Sequence, residues 1–244
     1  RWFAERSGQD LADLSTSTSH VQYLQRDGGI AHREKATWTY TSWGTFYRAL
    51  LADFGTEHYH YGEYACGFSQ NHDQATVRFV SGATATADLV VFADGITSTA
   101  RERFDPDASL RYSGYIGWRG TVPWSALSEA TREILDDAIT YDVVPNSHIT
   151  MYPIPGEDGL DVDHRLMNYV WYRNVAPGPD LTEMLIDKRG FHGSVSVHPG
   201  QVQDRYVSEM RTAATELFAP AVAEVVTAAV ILDPDAEIPG LNDS

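Results

Sequence analysis

Apolar and polar residues alternate from His20 to Gln25 and return from Ile30 to Arg33, with Asp27-Gly28-Gly29 between them. A two-residue period broken by a Gly-containing turn predicts a β-hairpin over 20–35. The period then lengthens. Trp43, Phe46, Tyr47, Leu50, Leu51 and Phe54 recur at helical spacing, with Thr41-Ser42 placed to cap the first turn and Gly55 to end the last.

Residues 57–93 read as a β-meander. Val77–Val80 and Thr84–Ala87 flank a Ser81-Gly82 turn, and Asp88-Leu89-Val90-Val91-Phe92-Ala93 is an apolar run of the kind found in buried parallel strands. A helix is expected from Thr97 to Phe104. From Tyr112 onward, segments 112–122, 147–154 and 166–174 are rich in aromatic and β-branched residues, which predicts an antiparallel sheet, with a helix near 125–137 between the first two strands. Residues 203–218 and 220–231 carry Tyr206, Met210, Leu217, Val222, Val225 and Val226 at core-like helical spacing. The remainder, Asp233 to Ser244, is acidic and Pro/Gly-containing and reads as a loose tail. The fold class expected is mixed α+β or α/β. The expected divisions are 1–111, 112–202 (a sheet domain) and 203–244 (covering helices and tail).

Composition narrows the partners. With 18 Lys and Arg against 34 Asp and Glu, the formal net charge is −16. Such a chain repels a phosphate backbone, so nucleic acid and anionic membrane surfaces are excluded as natural partners. No apolar run reaches the ~20 residues needed to span a bilayer. Cys66 is the single cysteine; it cannot form an internal disulfide, and its aromatic, strand-like surroundings predict an inert core thiol. A cytoplasmic location is the matching expectation.

The densest chemistry lies at Asp88–Arg101. A strand delivers the Asp94 carboxylate at its C-terminal end, Gly95 permits a sharp turn and close ligand approach, Ser98 opens a helix, and Arg101 follows one turn later. Ligands of α/β sheets collect at such strand ends. The carboxylate suits ligand hydroxyls, and the guanidinium suits a phosphate or carboxylate. This stretch resembles the "DG" motif of the group A flavoprotein monooxygenases, the para-hydroxybenzoate hydroxylase-like family. Tyr112–Pro123, Thr150–Gly156 and Asn168–Asn174 are similar to successive strands of that family's substrate sheet, most of all in the 2,6-dihydroxypyridine 3-monooxygenase branch. The helix from Trp43 to Leu51 also fits, although Trp43 stands where many members have Arg, and Phe92 where they have Gly.

The resemblance implies a partial FAD-binding domain of the GR2 type joined to a substrate-binding sheet. It implies FAD and NAD(P)H as cofactors, O2 as co-substrate, a small electron-rich aromatic substrate such as a dihydroxypyridine or phenol, and a homodimer. It assigns Asp94, Gly95, Ser98 and Arg101 to the cofactor. Neither the Gly-x-Gly-x-x-Gly segment nor the late Gly-Asp segment of the family is found in the sequence. This predicts a chain cut at both ends, with an exposed apolar face. The alternative reading is a substrate-domain module without stable flavin.

The aromatic residues Tyr115, Trp118, Tyr152, Trp171 and Tyr172 suggest a flat pocket, with Tyr115, Tyr152 and Trp171 as ring contacts. Alternation limits the set: Tyr115 and Gly117 face one way, Ile116 and Trp118 the other, and Trp171 opposes Tyr172. His58-Tyr59-His60 places two imidazoles on one face of a strand, but a third metal ligand at a convincing spacing is missing. His60 is therefore read as a substrate contact, better suited to meet a phenolic hydroxyl than to hold a metal. Asp158, Asp161 and Asp163 lack EF-hand spacing, and Gly193-Ser194 lacks the context of a nucleophile elbow. No residue is assigned as a catalytic acid or base.

Overall fold

A computed structural model describes residues 10–105, 107, 110–156 and 164–229. The elements in chain order are β1 (Thr16–Leu24), β2 (Ile30–Tyr40), α1 (Trp43–Phe54), β3 (Ala65–Gln70), β4 (Ala75–Phe79), β5 (Thr84–Ala87), α2 (Thr99–Phe104), β6 (Tyr115–Pro123), α3 (Glu129–Leu135), β7 (Ala138–Val144), β8 (Ser147–Ile154), β9 (Leu166–Asn174), α4 (Pro179–Met184), α5 (Asp204–Leu217) and α6 (Pro220–Ala228). Two compact units result. One comprises the chain up to Ala49 and from Gly114 onward; the other is Leu50–Ser113. This division differs from the one read in the sequence, because the β1–β2 hairpin joins the sheet of the later strands.

The first unit is built on a six-stranded sheet of order β2-β1-β7-β8-β9-β6. The hairpin forms where its pattern predicts. Gly28 N–H donates to Gln25 O at 2.9 Å, and Gly29 N–H to the Asp27 side chain at 2.9 Å. β1 then pairs in parallel with β7, His20 opposite Ala138 and Tyr23 opposite Tyr141. All other ladders are antiparallel. Strand β7 was not read from the sequence. The helix expected over 125–137 is shorter, α3, capped by the Ser128 hydroxyl accepting from Thr131 N–H.

One face of this sheet carries Val122, Ile149, Met151, Met167, Tyr169 and Trp171. With Leu135, Met210, Phe218, Val222, Val225 and Val226 from α3, α5, α6 and their flanks, they form the core. Burying such side chains stabilises by roughly 1.5–3 kcal/mol each. Two carboxylates tie the helices down. Buried Asp142 accepts from Ala219 N–H at 2.8 Å, at the start of α6. Glu224 of α6 accepts from the Ser128 N–H, the Ser128 hydroxyl and the Thr131 hydroxyl at 2.5, 2.7 and 2.6 Å, which locks α6 to α3.

The second unit carries the three-stranded antiparallel sheet β3-β4-β5. Its aromatic centre is Phe68, stacked on Phe104 at 4.9 Å and tilted against Phe92 at 5.1 Å. Two expectations fail here. The apolar run Asp88–Ala93 is not a buried strand: no described strand pairs with it, and Leu89 and Val91 are 77% and 75% exposed. A parallel strand acquires its burial and its ladder only from flanking strands. Cys66 is exposed, not a core thiol. The register slips between Ala65 and Gly67, so the β-bulge turns the thiol outward, where it donates to Arg78 O at 3.4 Å. The acidic run 157–163 and the tail from Val230 lie outside the described residues, and no described helix is long and apolar enough to cross a membrane.

Candidate functional site

The first cluster lies in the second unit. Residues 88–94 approach as irregular extended chain. A short 3-10 turn covers Gly95–Thr97, and α2 follows. Asp94 precedes the turn without capping it, so its carboxylate is not spent on the helix start. Gly95 has φ +72° and no atom within 4 Å of where a Cβ would stand, so any side chain there would be strained, and the backbone lies open to a ligand. The Ser98 hydroxyl accepts from Arg101 N–H at 3.3 Å. The Arg101 guanidinium folds back over the turn, donating to Ile96 O at 2.7 Å and to Gly95 O. All four predicted residues line one concavity of about 650 Å³, together with Val90, Phe92 and Phe104.

The second cluster lies on the six-stranded sheet, on the face opposite the core. Register places Tyr23 beside Tyr141, Tyr141 beside Thr150, and Tyr172 beside His148. The rings pack pairwise. Tyr23 stacks on Tyr141 at 5.2 Å, Tyr40 on Tyr152 at 4.6 Å and His148 on Tyr172 at 4.9 Å, and Tyr115 meets Tyr172 edge-on at 5.5 Å. Burial raises the pKa of Tyr40 and Tyr141, and neighbouring phenols add to it; hydroxyl contacts from Thr18 and Thr150 pull back only in part. These phenols therefore stay protonated as hydrogen-bond donors through the neutral range. At one end of the face, Tyr115, Asn146, Ser147, His148, Tyr172 and Asn174 enclose a concavity of about 430 Å³.

Of the predicted ring contacts, the structure places Tyr115 and Tyr152 on this face and removes Trp171. The Trp171 indole is 0% exposed, packed edge-on against Phe218 at 4.9 Å on the core side. The strand alternation that puts Tyr172 outward puts Trp171 inward. His60 is not on a strand. It follows a 3-10 turn in an exposed segment of the second unit, and His58 pairs with Glu57 instead. Tyr23, Tyr40, Tyr141 and His148 were missed. Tyr23 and Tyr141 stand at alternating positions in β-rich stretches, a signal that was available. Tyr40 and His148 carry none locally.

Residues 112–232 match the family model described as FAD binding domain-like. The 2,6-dihydroxypyridine 3-monooxygenase of Paenarthrobacter nicotinovorans is 31% identical over 218 residues, which is 87% of this chain and 53% of that protein. The solved 2,6-dihydroxypyridine-3-hydroxylase of Arthrobacter nicotinovorans superposes with a TM-score of 0.86 at 30% identity, covering 93% of this chain and 57% of that one. The chain is similar to these ring-hydroxylating enzymes over most of its own length. It is also 38% identical over 84 residues to the 3-amino-4-hydroxybenzoate 2-monooxygenase of Streptomyces cremeus, across 34% of this chain and 20% of that enzyme. Klebsiella pneumoniae HpxO, solved with FAD and uric acid, shares the fold at a TM-score of 0.64 and 19% identity, over 91% of this chain and 51% of its own. The chain spans about half the length of the curated relative and the solved structures cited.

Proposed function

We propose that this chain carries the flavin-contact and substrate-sheet portions of a monooxygenase that uses FAD, NAD(P)H and O2 to hydroxylate an electron-rich ring, a dihydroxypyridine or a phenol. The observation that carries the reading is the phenol-lined face of the six-stranded sheet, in a chain whose similar proteins are named as aromatic-ring monooxygenases.

The residues around Asp94 fit a dinucleotide cofactor. The uncommitted Asp94 carboxylate would accept from ribose hydroxyls, and the open backbone at Gly95 admits close approach. Arg101 uses two of its donors on the turn and keeps others for a phosphate. Ser98 fixes the start of α2 and so the position of Arg101. When bound, FAD reduced by NAD(P)H would supply the electrons that activate O2, the source of the oxygen atom transferred to the ring. The chain's own contribution is orientation: Tyr115 and Tyr152 present flat faces and phenol donors to a planar ring, and the stacked pairs around them hold those donors in place. A cytoplasmic location and a homodimer complete the proposal; the single cysteine supports the first.

The test supplies FAD, NADH or NADPH, a dihydroxypyridine and labelled O2. The expected result is ring-dependent oxidation of the nicotinamide and one labelled oxygen in the product. Nicotinamide oxidation that is indifferent to the ring, with no label incorporated, contradicts the proposal.

A further inference from the structure

We propose that the corner formed by Tyr115, His148 and Tyr172, with the amides of Asn146 and Asn174 at its rim, reads the polar edge of the ring and selects an uncharged N–H/C=O edge, as in a pyridone, over a ring carboxylate. The inference rests on the hydroxylase reading and adds to it the residues and chemistry of selection.

Three rings build the corner. His148 lies nearly parallel to Tyr172, with centroids 4.9 Å apart and an angle of 27°. Tyr115 closes the other side at 75° and 5.5 Å. A planar ligand gains stacking area against two directions at once, a geometry aromatic rings favour. Gly117 stands directly opposite Tyr172 in the β6–β9 ladder and adds no side chain of its own beside that ring.

The polar groups at the rim are free. Among the described residues, none hydrogen-bonds to the side chain of His148, Asn146 or Asn174. Asn146 adopts φ +59° at the β7–β8 turn, a conformation Asn tolerates better than most residues. Its carbonyl accepts from Asn174 N–H at 3.5 Å, which holds the two amide-bearing residues together. Ser147, by contrast, is spent: it accepts from Trp171 and donates to Tyr172 O.

The chemistry of the lining sets the ligand class. A side-chain amide offers a donor and an acceptor side by side, the complement of a lactam edge, and a neutral imidazole offers one of each. No Lys, Arg, Asp or Glu lines the concavity. Arg173 points to the other face, over the Trp171 ring at 4.8 Å. Arg119 shares the tyrosine face but pairs with Val170, outside the corner. A carboxylate entering here would lose water without gaining a cation, which is costly. The volume of about 430 Å³ falls in the range of small-ligand clefts.

The experiment titrates the 244-residue chain, without flavin or nicotinamide, with 2-pyridone and with benzoate, by calorimetry and by the imidazole NMR signals. The expected result is saturable 2-pyridone binding that shifts the His148 signal, with benzoate weaker by about tenfold or more. His148→Phe and Asn174→Leu should each weaken 2-pyridone by about tenfold, with unchanged circular dichroism. Equal affinity for benzoate, insensitivity to both corner variants, or no binding overturns the inference. Loss through Tyr152→Ala alone also overturns it, by placing the ring elsewhere on the face, and leaves the hydroxylase reading intact. Because no turnover is measured, a failed hydroxylation assay leaves this result unaffected.

Discussion

The indole N–H of Trp171 donates to the Ser147 hydroxyl at 2.7 Å, and that hydroxyl donates to the backbone carbonyl of Tyr172 at 2.7 Å. One serine thus joins the core face of the sheet to the strand that carries an outward phenol. Ser147→Ala leaves the buried indole N–H without a partner, which costs about 1–3 kcal/mol. Urea unfolding followed by tryptophan fluorescence should show a lowered midpoint with an unchanged slope.

Two glycines of β6 make a paired test of the two faces. A Cβ at Gly120 would stand 2.6–2.9 Å from the Tyr169 ring in the core, whereas one at Gly117 would meet only the Tyr172 and Val170 side chains at 3.8–4.0 Å. Gly120→Ala should destabilise by about 1–3 kcal/mol through overpacking. Gly117→Ala should leave stability nearly unchanged. Thermal melts of the two variants side by side check the contrast.

Burial pushes the Tyr169 phenol up to about 12, against a partial pull downward from Arg211. Above the ordinary phenol value the unfolded chain loses this proton and the folded chain keeps it. Stability from this group is therefore full below about pH 10 and is lost as pH rises through about 12. Tyr169→Phe should flatten that alkaline loss in unfolding midpoints measured against pH.

Glu224 behaves in the opposite sense. Partial burial alone would raise its pKa, but hydrogen bonds from Thr131 and Ser128 outweigh this and hold the carboxyl below its ordinary value. Its contribution is present above the ordinary carboxylate range and is lost as pH falls through the lowered folded value. Glu224→Gln should remove that portion of the acid limb and loosen α6 from α3, observable as faster amide exchange at the end of α6.

Much of this was legible in the sequence where the physics is local. The hairpin at Asp27-Gly28-Gly29, the Ser42 cap of α1 (Thr45 N–H to Ser42 hydroxyl, 3.0 Å) and the strands around Trp118, Tyr152 and Trp171 follow from period and turn chemistry. Alternation alone shows that Trp171 and Tyr172 face opposite ways, yet which side is core depends on the helices that cover it. The parallel pairing of β1 with β7 joins residues far apart in the chain, and no local pattern encodes it. For the same reason Tyr23 and Tyr141 were not seen as neighbours. The run Asp88–Ala93 has the composition of a buried strand, but burial comes from partners and not from the run itself. Cys66 escaped because a one-residue bulge reverses the side to which it points.

The central claim is that Asp94 and Gly95 mark a flavin contact. Titration of the 244-residue chain with FAD, followed by flavin fluorescence, tests it most directly. The account predicts saturable binding that Asp94→Ala weakens by about tenfold or more while circular dichroism stays unchanged. Absence of binding, or binding indifferent to Asp94→Ala, would contradict it.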